Sequence, residues 1–112
     1  MGKISVADIV FVKFPFSNLT LTKLRPALVL ANAQRGDWIL CQITSKSYGD
    51  NKAICIDAKS YSYGTLELVS YIRPSKLFTA NEAIIVKKVA CIEKTFHHNV
   101  VSIIQEILIN GE

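Results

Sequence analysis

Arg25 and Pro26 form the pair with the clearest chemical potential in this sequence. Proline disfavours the helical region for the residue before it, so Arg25 is expected to be extended. The apolar run Ala27-Leu28-Val29-Leu30 follows, and a run of this length is typical of a buried strand. The sequence therefore predicts a guanidinium at the mouth of a rigid strand, where it can bind a phosphate through two hydrogen bonds.

Other basic side chains lie near predicted strand ends. Arg73-Pro74 repeats the arginine–proline pair, and four lysines fall in similar positions, namely Lys13, Lys23, Lys46 and Lys76. If those strand ends converge in the fold, the side chains form a basic groove that suits a polyanion. If they do not converge, the lysines are solubilising charges, and Arg25 is then a solvated loop arginine.

Strand-like segments dominate the sequence up to residue 92. Runs rich in β-branched and aromatic residues predict strands over 9–16, 27–31, 38–44, 53–57, 66–73 and 83–92. The segments between them are predicted loops and turns, namely 17–23, 32–37, 48–52, 59–64 and 76–82. In the third strand, Trp38, Leu40, Gln42 and Thr44 alternate with Ile39, Cys41, Ile43 and Ser45, so the two sets should occupy opposite faces.

The spacing of apolar residues becomes helical after Thr95. Apolar side chains recur at positions 96, 100, 103, 104, 107 and 108, with Thr95 as the predicted N-cap and Gly111 past the C-terminus. The sequence shows no alternation of strands and helices, no internal repeat and no linker. It therefore predicts one mainly β domain over 1–112, a strongly bent antiparallel sheet or barrel closed by a C-terminal helix.

The composition limits the classes of function. The chain has 112 residues and a net charge of +4, which is compatible with a polyanionic partner but does not require one. Half of the residues are hydrophobic, so some apolar surface is expected in a subunit interface. The N-terminus lacks an apolar signal segment and no run is long enough to span a membrane, so we expect a cytoplasmic protein without membrane contact.

Cysteine and histidine patterns do not indicate a metal site. Cys41, Cys55 and Cys91 lie in apolar runs and are expected to be reduced core thiols. His97 and His98 are adjacent at a helix start and point about 100° apart, so we expect one half-buried and one exposed histidine. No Walker loop, GxGxxG motif or acidic metal motif is present, so the sequence predicts no metal and no cofactor.

The chain resembles the PemK/MazF family of toxins from bacterial toxin–antitoxin systems. Residues 7–12 (ADIVFV) resemble the family's N-terminal strand, and residues 23–30 (KLRPALVL) resemble its RPxLV motif. Residues 39–45 (ILCQITS) are similar to its ITS strand end, and residues 70–77 (SYIRPSKL) to its later RxxxL segment. Four segments in the right order carry the resemblance over nearly the whole chain.

The resemblance implies an SH3-like antiparallel β-barrel of the CcdB/PemK type that forms a homodimer and is inhibited by a cognate antitoxin. It also implies sequence-specific, metal-independent cleavage of single-stranded RNA, with Arg25 and Thr44 as the catalytic residues. The predicted RNA-binding residues include the basic residues above, and the full set is Lys13, Ser17, Lys23, Gln42, Ser45, Lys46, Arg73 and Lys76.

These residue types suit that chemistry, because RNA carries its own nucleophile. In-line attack by the 2′-OH gives a 2′,3′-cyclic phosphate and a 5′-OH, and a fixed guanidinium stabilises the charge that develops on the phosphorane. Two other interpretations remain open: a non-catalytic RNA- or protein-binding barrel, and a gyrase poison of the CcdB kind. The C-terminal residues Asn110-Gly111-Glu112 argue against the gyrase poison, which depends on an aromatic-Gly-hydrophobic ending.

Overall fold

The computed structural model describes residues 3–15, 22–47 and 49–112. Within these ranges the chain forms seven strands: β1 Asp8–Pro15, β2 Thr22–Gln34, β3 Asp37–Thr44, β4 Ile54–Ile56, β5 Tyr61–Gly64, β6 Ser70–Asn81 and β7 Ile85–Ile92. Helix α1 spans Lys94–Asn110, and short 3-10 turns lie at Ala58–Ser60 and Glu82–Ile84. The predicted mainly β fold with a C-terminal helix is confirmed.

The strands form one antiparallel sheet in the order β4-β6-β3-β2-β1-β7-β5. The sheet curls into a half-barrel, and β2 is its middle strand. The edge strands are short, with 3 residues in β4 and 4 in β5. Short edges expose little unpaired backbone to other chains, while the central strands are supported on both sides.

Both faces of the sheet are apolar at its centre. In β3, Trp38 and Leu40 pack in one cluster with Val10, Val12 and other residues of the same face. Cys41 and Ile43 pack in a second cluster on the opposite face, together with Ile9, Leu28 and Ile72. The predicted alternation of β3 is therefore confirmed, and the central strands are buried on both sides.

Helix α1 covers the second of these clusters. Val100 and Ile104 are its buried residues, and they join the cluster that contains Cys41 and Ile43. Gly111 ends the helix in the left-handed conformation at φ 85°, and its N–H donates to the carbonyl of Ile107, as the sequence predicts. The N-cap, however, is Glu93 and not Thr95, which lies in the first turn. No helix among the described residues is long and apolar enough to cross a membrane.

Strand β2 is much longer than the predicted segment 27–31. It spans Thr22–Gln34, so Arg25 and Pro26 lie inside the strand and not at its mouth. Both residues are in register with β1, whereas the ladder between β2 and β3 begins only at Ala27. Pro26, which lacks an N–H, therefore lies where β2 is paired on one side, and proline is tolerated there.

Strand β6 continues through Pro74, where the sequence predicts a stop. The predicted strand 66–73 is replaced by Ser70–Asn81, which also absorbs most of the predicted turn 76–82. The register against β3 shifts in this region, since Ile72 pairs with Ile43 and Leu77 with Cys41. The interval from Ile72 to Leu77 on β6 is five residues long, whereas the opposite interval on β3, from Ile43 to Cys41, is two residues long. This bulge interrupts the ladder and accommodates a proline.

Three smaller predictions are also wrong. The predicted loop 59–64 contains β5, which pairs with β7. The predicted strand 83–92 begins only at Ile85, because a 3-10 turn precedes it. Cys55 is an exposed free thiol on the edge strand β4 and not a core residue, although Cys41 is buried. In each case the pairing of distant strands decides the outcome, and local propensity does not encode it.

Candidate ribonuclease site

Arg25 lies on β2 and Thr44 on the neighbouring antiparallel strand β3. In the register of β2 with β3, Ala27 pairs with Gln42 and Leu28 with Cys41. The ladder stops there, two residues before Arg25 and two residues before the end of β3 at Thr44. Both side chains line one cavity at this end of the sheet. The fold therefore brings the two predicted catalytic residues together, at the end of the β2–β3 ladder.

Thr44 is held in a fixed orientation. It is only 5% exposed, and it pairs with Tyr71 on its other side. Its Oγ1 accepts a hydrogen bond from the N–H of Lys46 over 3.1 Å. A threonine hydroxyl has one donor and two acceptor positions, so this contact leaves the O–H available to donate. Thr44 can therefore present a hydrogen-bond donor to an anionic group beside Arg25.

A cavity of about 510 Å³ lies at this end of the sheet and is lined by Arg25, Thr44, Lys23 and Ser45, among others. Three of its lining residues form one row across three strands: Lys87 of β7, Phe11 of β1 and Pro26 of β2. Phe11 pairs with both Lys87 and Pro26. Ile43 of β3 also lines the cavity.

Lys87 contributes a positioned cation to the cavity. Its Nζ lies 5.8 Å from the centroid of the Phe11 ring, within cation–π range. Glu67, in the connection between β5 and β6, contributes a carboxylate to the same lining. Neither residue belongs to the motifs that carry Arg25 and Thr44, so the sequence predicts no role for them. The one available signal was that Lys87 and Lys88 are the only charges in an otherwise apolar strand.

Arg73 occupies a different place from Arg25. Its Nε lies 3.0 Å from Oδ2 of Asp50, in an ion pair whose side chains are 18% and 9% exposed. A hydrogen bond from the backbone of Lys52 and one from Arg73 hold the pKa of Asp50 below its usual value. Arg73 therefore already has a carboxylate partner in the protein.

Gln42 and Lys76 line a separate shallow depression of about 190 Å³, with Leu77 and Phe78 as the other lining residues. Lys13 and Lys46 are exposed and do not line the larger cavity. Lys23 and Ser45 do line it. Ser17 lies outside the described residues. The larger cavity thus collects four of the predicted site residues, and the depression collects two more.

No group of three or more metal-ligating side chains occurs in the described part of the chain. His97 is half-buried and His98 exposed, as expected. Burial lowers the pKa of His97, a hydrogen bond with the backbone of Val29 raises it, and the nearby His98 lowers it. Nε2 of His97 is buried without a hydrogen-bond partner among the described residues.

The curled antiparallel sheet and the C-terminal helix define an SH3-like barrel of the PemK type. A family model for the PemK-like, MazF-like toxins of type II toxin–antitoxin systems matches residues 5–108. The chain therefore belongs to this toxin family. No curated protein sequence matches the chain significantly.

Solved structures of the same fold agree with this assignment. A MazE–MazF crystal structure from Deinococcus radiodurans has a TM-score of 0.75 at 17% identity, covering 94% of this chain and 95% of the other. Mycobacterium tuberculosis toxin MazF-mt6 gives 0.68 at 14% identity, covering 90% and 95%. A mycobacterial endoribonuclease in complex with its cognate antitoxin gives 0.68 at 9% identity, covering 98% and 96%. At these identities the likeness shows the fold.

Proposed function

We propose that this protein is a sequence-specific, metal-independent endoribonuclease toxin that cleaves single-stranded RNA and leaves 2′,3′-cyclic phosphate and 5′-OH ends. The observation that carries the proposal is that Arg25 and Thr44 line the same cavity, in a chain that belongs to the MazF-like toxins. Family membership supports a toxin, and the guanidinium and hydroxyl at one cavity support phosphate chemistry.

In the proposed reaction the scissile phosphate sits between Arg25 and Thr44. The guanidinium donates two hydrogen bonds to the non-bridging oxygens, where negative charge accumulates as the 2′-oxygen attacks. The Thr44 O–H donates to the same phosphate, and the bond from Lys46 to Oγ1 keeps that hydroxyl oriented. Arg25 does not act as a base, because arginine is never deprotonated in proteins.

The cationic side chains around the cavity would bind the flanking RNA backbone. Lys23 and Lys87 lie in the lining. Lys13 on β1 and Lys76 on β6 are exposed, and so is Lys46, just past the end of β3. Each phosphate contact releases counterions, so binding should weaken as salt rises. Arg73 is expected to contribute less, because its guanidinium is engaged with Asp50.

We further propose that the protein acts in the cytoplasm as a homodimer, one PemK/MazF-like domain over 1–112 in each subunit, and is inhibited by a cognate antitoxin. The Deinococcus radiodurans structures contain MazE with MazF, and the mycobacterial endoribonuclease is bound to its cognate antitoxin. Exposed apolar side chains near the cavity, such as Leu24, Leu68 and Val69, provide surface that a partner protein would cover.

The test is incubation of the purified protein with a long single-stranded RNA in EDTA, beside Arg25→Gln. Arg35→Asn is the matched control, because it removes an arginine from the turn that follows the opposite end of β2, and Asn tolerates the positive φ of 57° at that position. Discrete fragments with 5′-OH ends from wild type and Arg35→Asn, but not from Arg25→Gln, would support the proposal. Intact RNA with wild type would favour a non-catalytic binding barrel.

A further inference from the structure

In-line cleavage of RNA needs a group that accepts the proton of the attacking 2′-OH. The charged side chains that line the cavity are the cations Lys23 and Arg25 from β2 and Lys87 from β7, and the carboxylate of Glu67. The remaining polar lining consists of hydroxyl side chains: Thr44, Ser45, Thr65 and Ser70. Hydroxyl groups, guanidinium groups and protonated lysine ammonium groups are poor bases near neutral pH. Glu67 is therefore the lining side chain suited to accept a proton.

The backbone on both sides of Glu67 is anchored by side chains of the sheet. The N–H of Leu66 donates to the hydroxyl of Tyr61 over 3.3 Å, and Leu66 packs against the buried cluster under helix α1. On the other side, Oγ of Ser70 donates to the carbonyl of Leu68 over 2.9 Å. Ser70 is itself buried. Glu67 thus lies between two fixed points, as a catalytic side chain on a loop requires.

The backbone is also constrained at Gly64, just before the segment that carries Glu67. Gly64 has φ +62°, and a Cβ at this position would lie 2.5 Å from the carbonyl oxygen of Val89 in β7. Only glycine permits so close an approach of β5 to β7. Leu66, Glu67 and Leu68 then all line the cavity with Val89.

We propose that Glu67 is the general base of the reaction, an inference that rests on the proposed ribonuclease function. The 2′-O–H bond breaks and its proton moves to a carboxylate oxygen of Glu67 as the O2′–P bond forms. The P–O5′ bond breaks, and the leaving 5′-oxygen takes a proton from water. Glu67 then returns its proton to water, while Arg25 and Lys87 balance the phosphorane charge.

The experiment measures single-turnover cleavage of a short RNA that the wild type cuts, across a range of pH, for wild type, Glu67→Gln and Glu67→Asp. Glu106→Gln, on the exposed surface of helix α1, is the matched control. Binding is measured separately with an analogue that carries a 2′-deoxynucleotide at the cleaved position and cannot react. Thermal melting checks that each variant is folded.

We expect Glu67→Gln to lower the cleavage rate about 10²–10⁴-fold, the usual contribution of a positioned base. Its affinity for the deoxy analogue should stay within about threefold of wild type, since a general base contributes to the chemical step more than to ground-state binding. The fall in rate toward acid pH should disappear in Glu67→Gln but persist in Glu67→Asp, which keeps a carboxylate. Glu106→Gln should match wild type.

The outcomes separate the two proposals. If the wild type cleaves RNA and Glu67→Gln cleaves at the same rate, or with the same pH profile, the role of Glu67 is overturned and the ribonuclease function is not. Loss of cleavage matched by an equal loss of affinity for the analogue also overturns it, because Glu67 would then be a binding residue. A wild type that cuts no RNA overturns the ribonuclease function and this inference with it.

Discussion

Arg73 donates a hydrogen bond from Nε to Oδ2 of Asp50 over 3.0 Å, and this contact ties strand β6 to the segment that follows Thr44. Oδ1 of the same carboxylate accepts a bond from the N–H of Lys52 over 2.9 Å. Both side chains are largely shielded from solvent. The pair therefore fixes the course of the chain just beyond the strand end where Arg25 and Thr44 lie.

Replacing Asp50 with Asn should lower the free energy of unfolding by roughly 1 kcal/mol near neutral pH, because it removes a charged hydrogen bond. The pKa of Asp50 is lowered from its ordinary value of 3.8, first by the Lys52 backbone and then by Arg73. Its stabilisation is therefore complete above that value and is lost as pH falls through the lower, folded-state pKa. Urea denaturation of both proteins across this range should show the difference vanish in acid, and a constant difference would contradict the assignment.

The hydroxyl of Thr44 should matter for cleavage and little for folding. Thr44→Val keeps the β-branched shape in a buried strand position but removes the O–H and the acceptor for Lys46. We expect it to lower the cleavage rate roughly tenfold or more, the loss of one oriented donor to a developing charge. Thr44→Ser keeps the hydroxyl and is the control, and it should retain most of the activity. Equal cleavage rates for Thr44→Val and Thr44→Ser would exclude a role for the hydroxyl.

Gly64 and Gly49 provide a matched pair for testing the segment that carries Glu67. Both have positive φ, 62° and 69°, but an added Cβ meets the Val89 carbonyl at Gly64 and nothing within 4 Å at Gly49. Gly49→Ala should cost roughly 1 kcal/mol from backbone strain alone. Gly64→Ala should cost clearly more, because β5 must move away from β7. Thermal or urea unfolding of both variants measures this, and equal losses would mean that the contact is unimportant.

His97 should make the protein less stable in mild acid. Burial is the largest influence on its pKa and lowers it below 6.5, despite the opposing bond with Val29. The unfolded chain then binds a proton more readily, so the stability that His97 contributes is present above 6.5 and is lost as pH falls toward the folded-state pKa. Melting temperatures across this range should show a smaller decline in His97→Gln than in wild type. The exposed His98→Gln is the control, and an effect there equal to that of His97→Gln would contradict the prediction.

Much of the fold was accessible from local patterns. The alternation in β3 and the left-handed Gly111 depend on residues close together in the chain, and both were predicted correctly. Arg25 was indicated by its place beside a proline, which is a local feature, and the role predicted for Thr44 came from the resemblance to the toxin family. The boundaries of β2 and β6 could not be predicted, because a proline usually ends a strand. Here Pro26 lies at the end of a ladder and Pro74 lies in a bulge, so both strands continue.

The sequence by itself determined the class of fold, the toxin family and the two residues proposed for phosphate chemistry. Only the tertiary structure decided which other side chains accompany them. It placed Lys87 over Phe11 and Glu67 in the same cavity as Arg25, and it engaged Arg73 with Asp50. The physical reason is strand pairing: the ladder between β1 and β7 joins residues far apart in the chain, such as Phe11 and Lys87, and no local pattern specifies such a register.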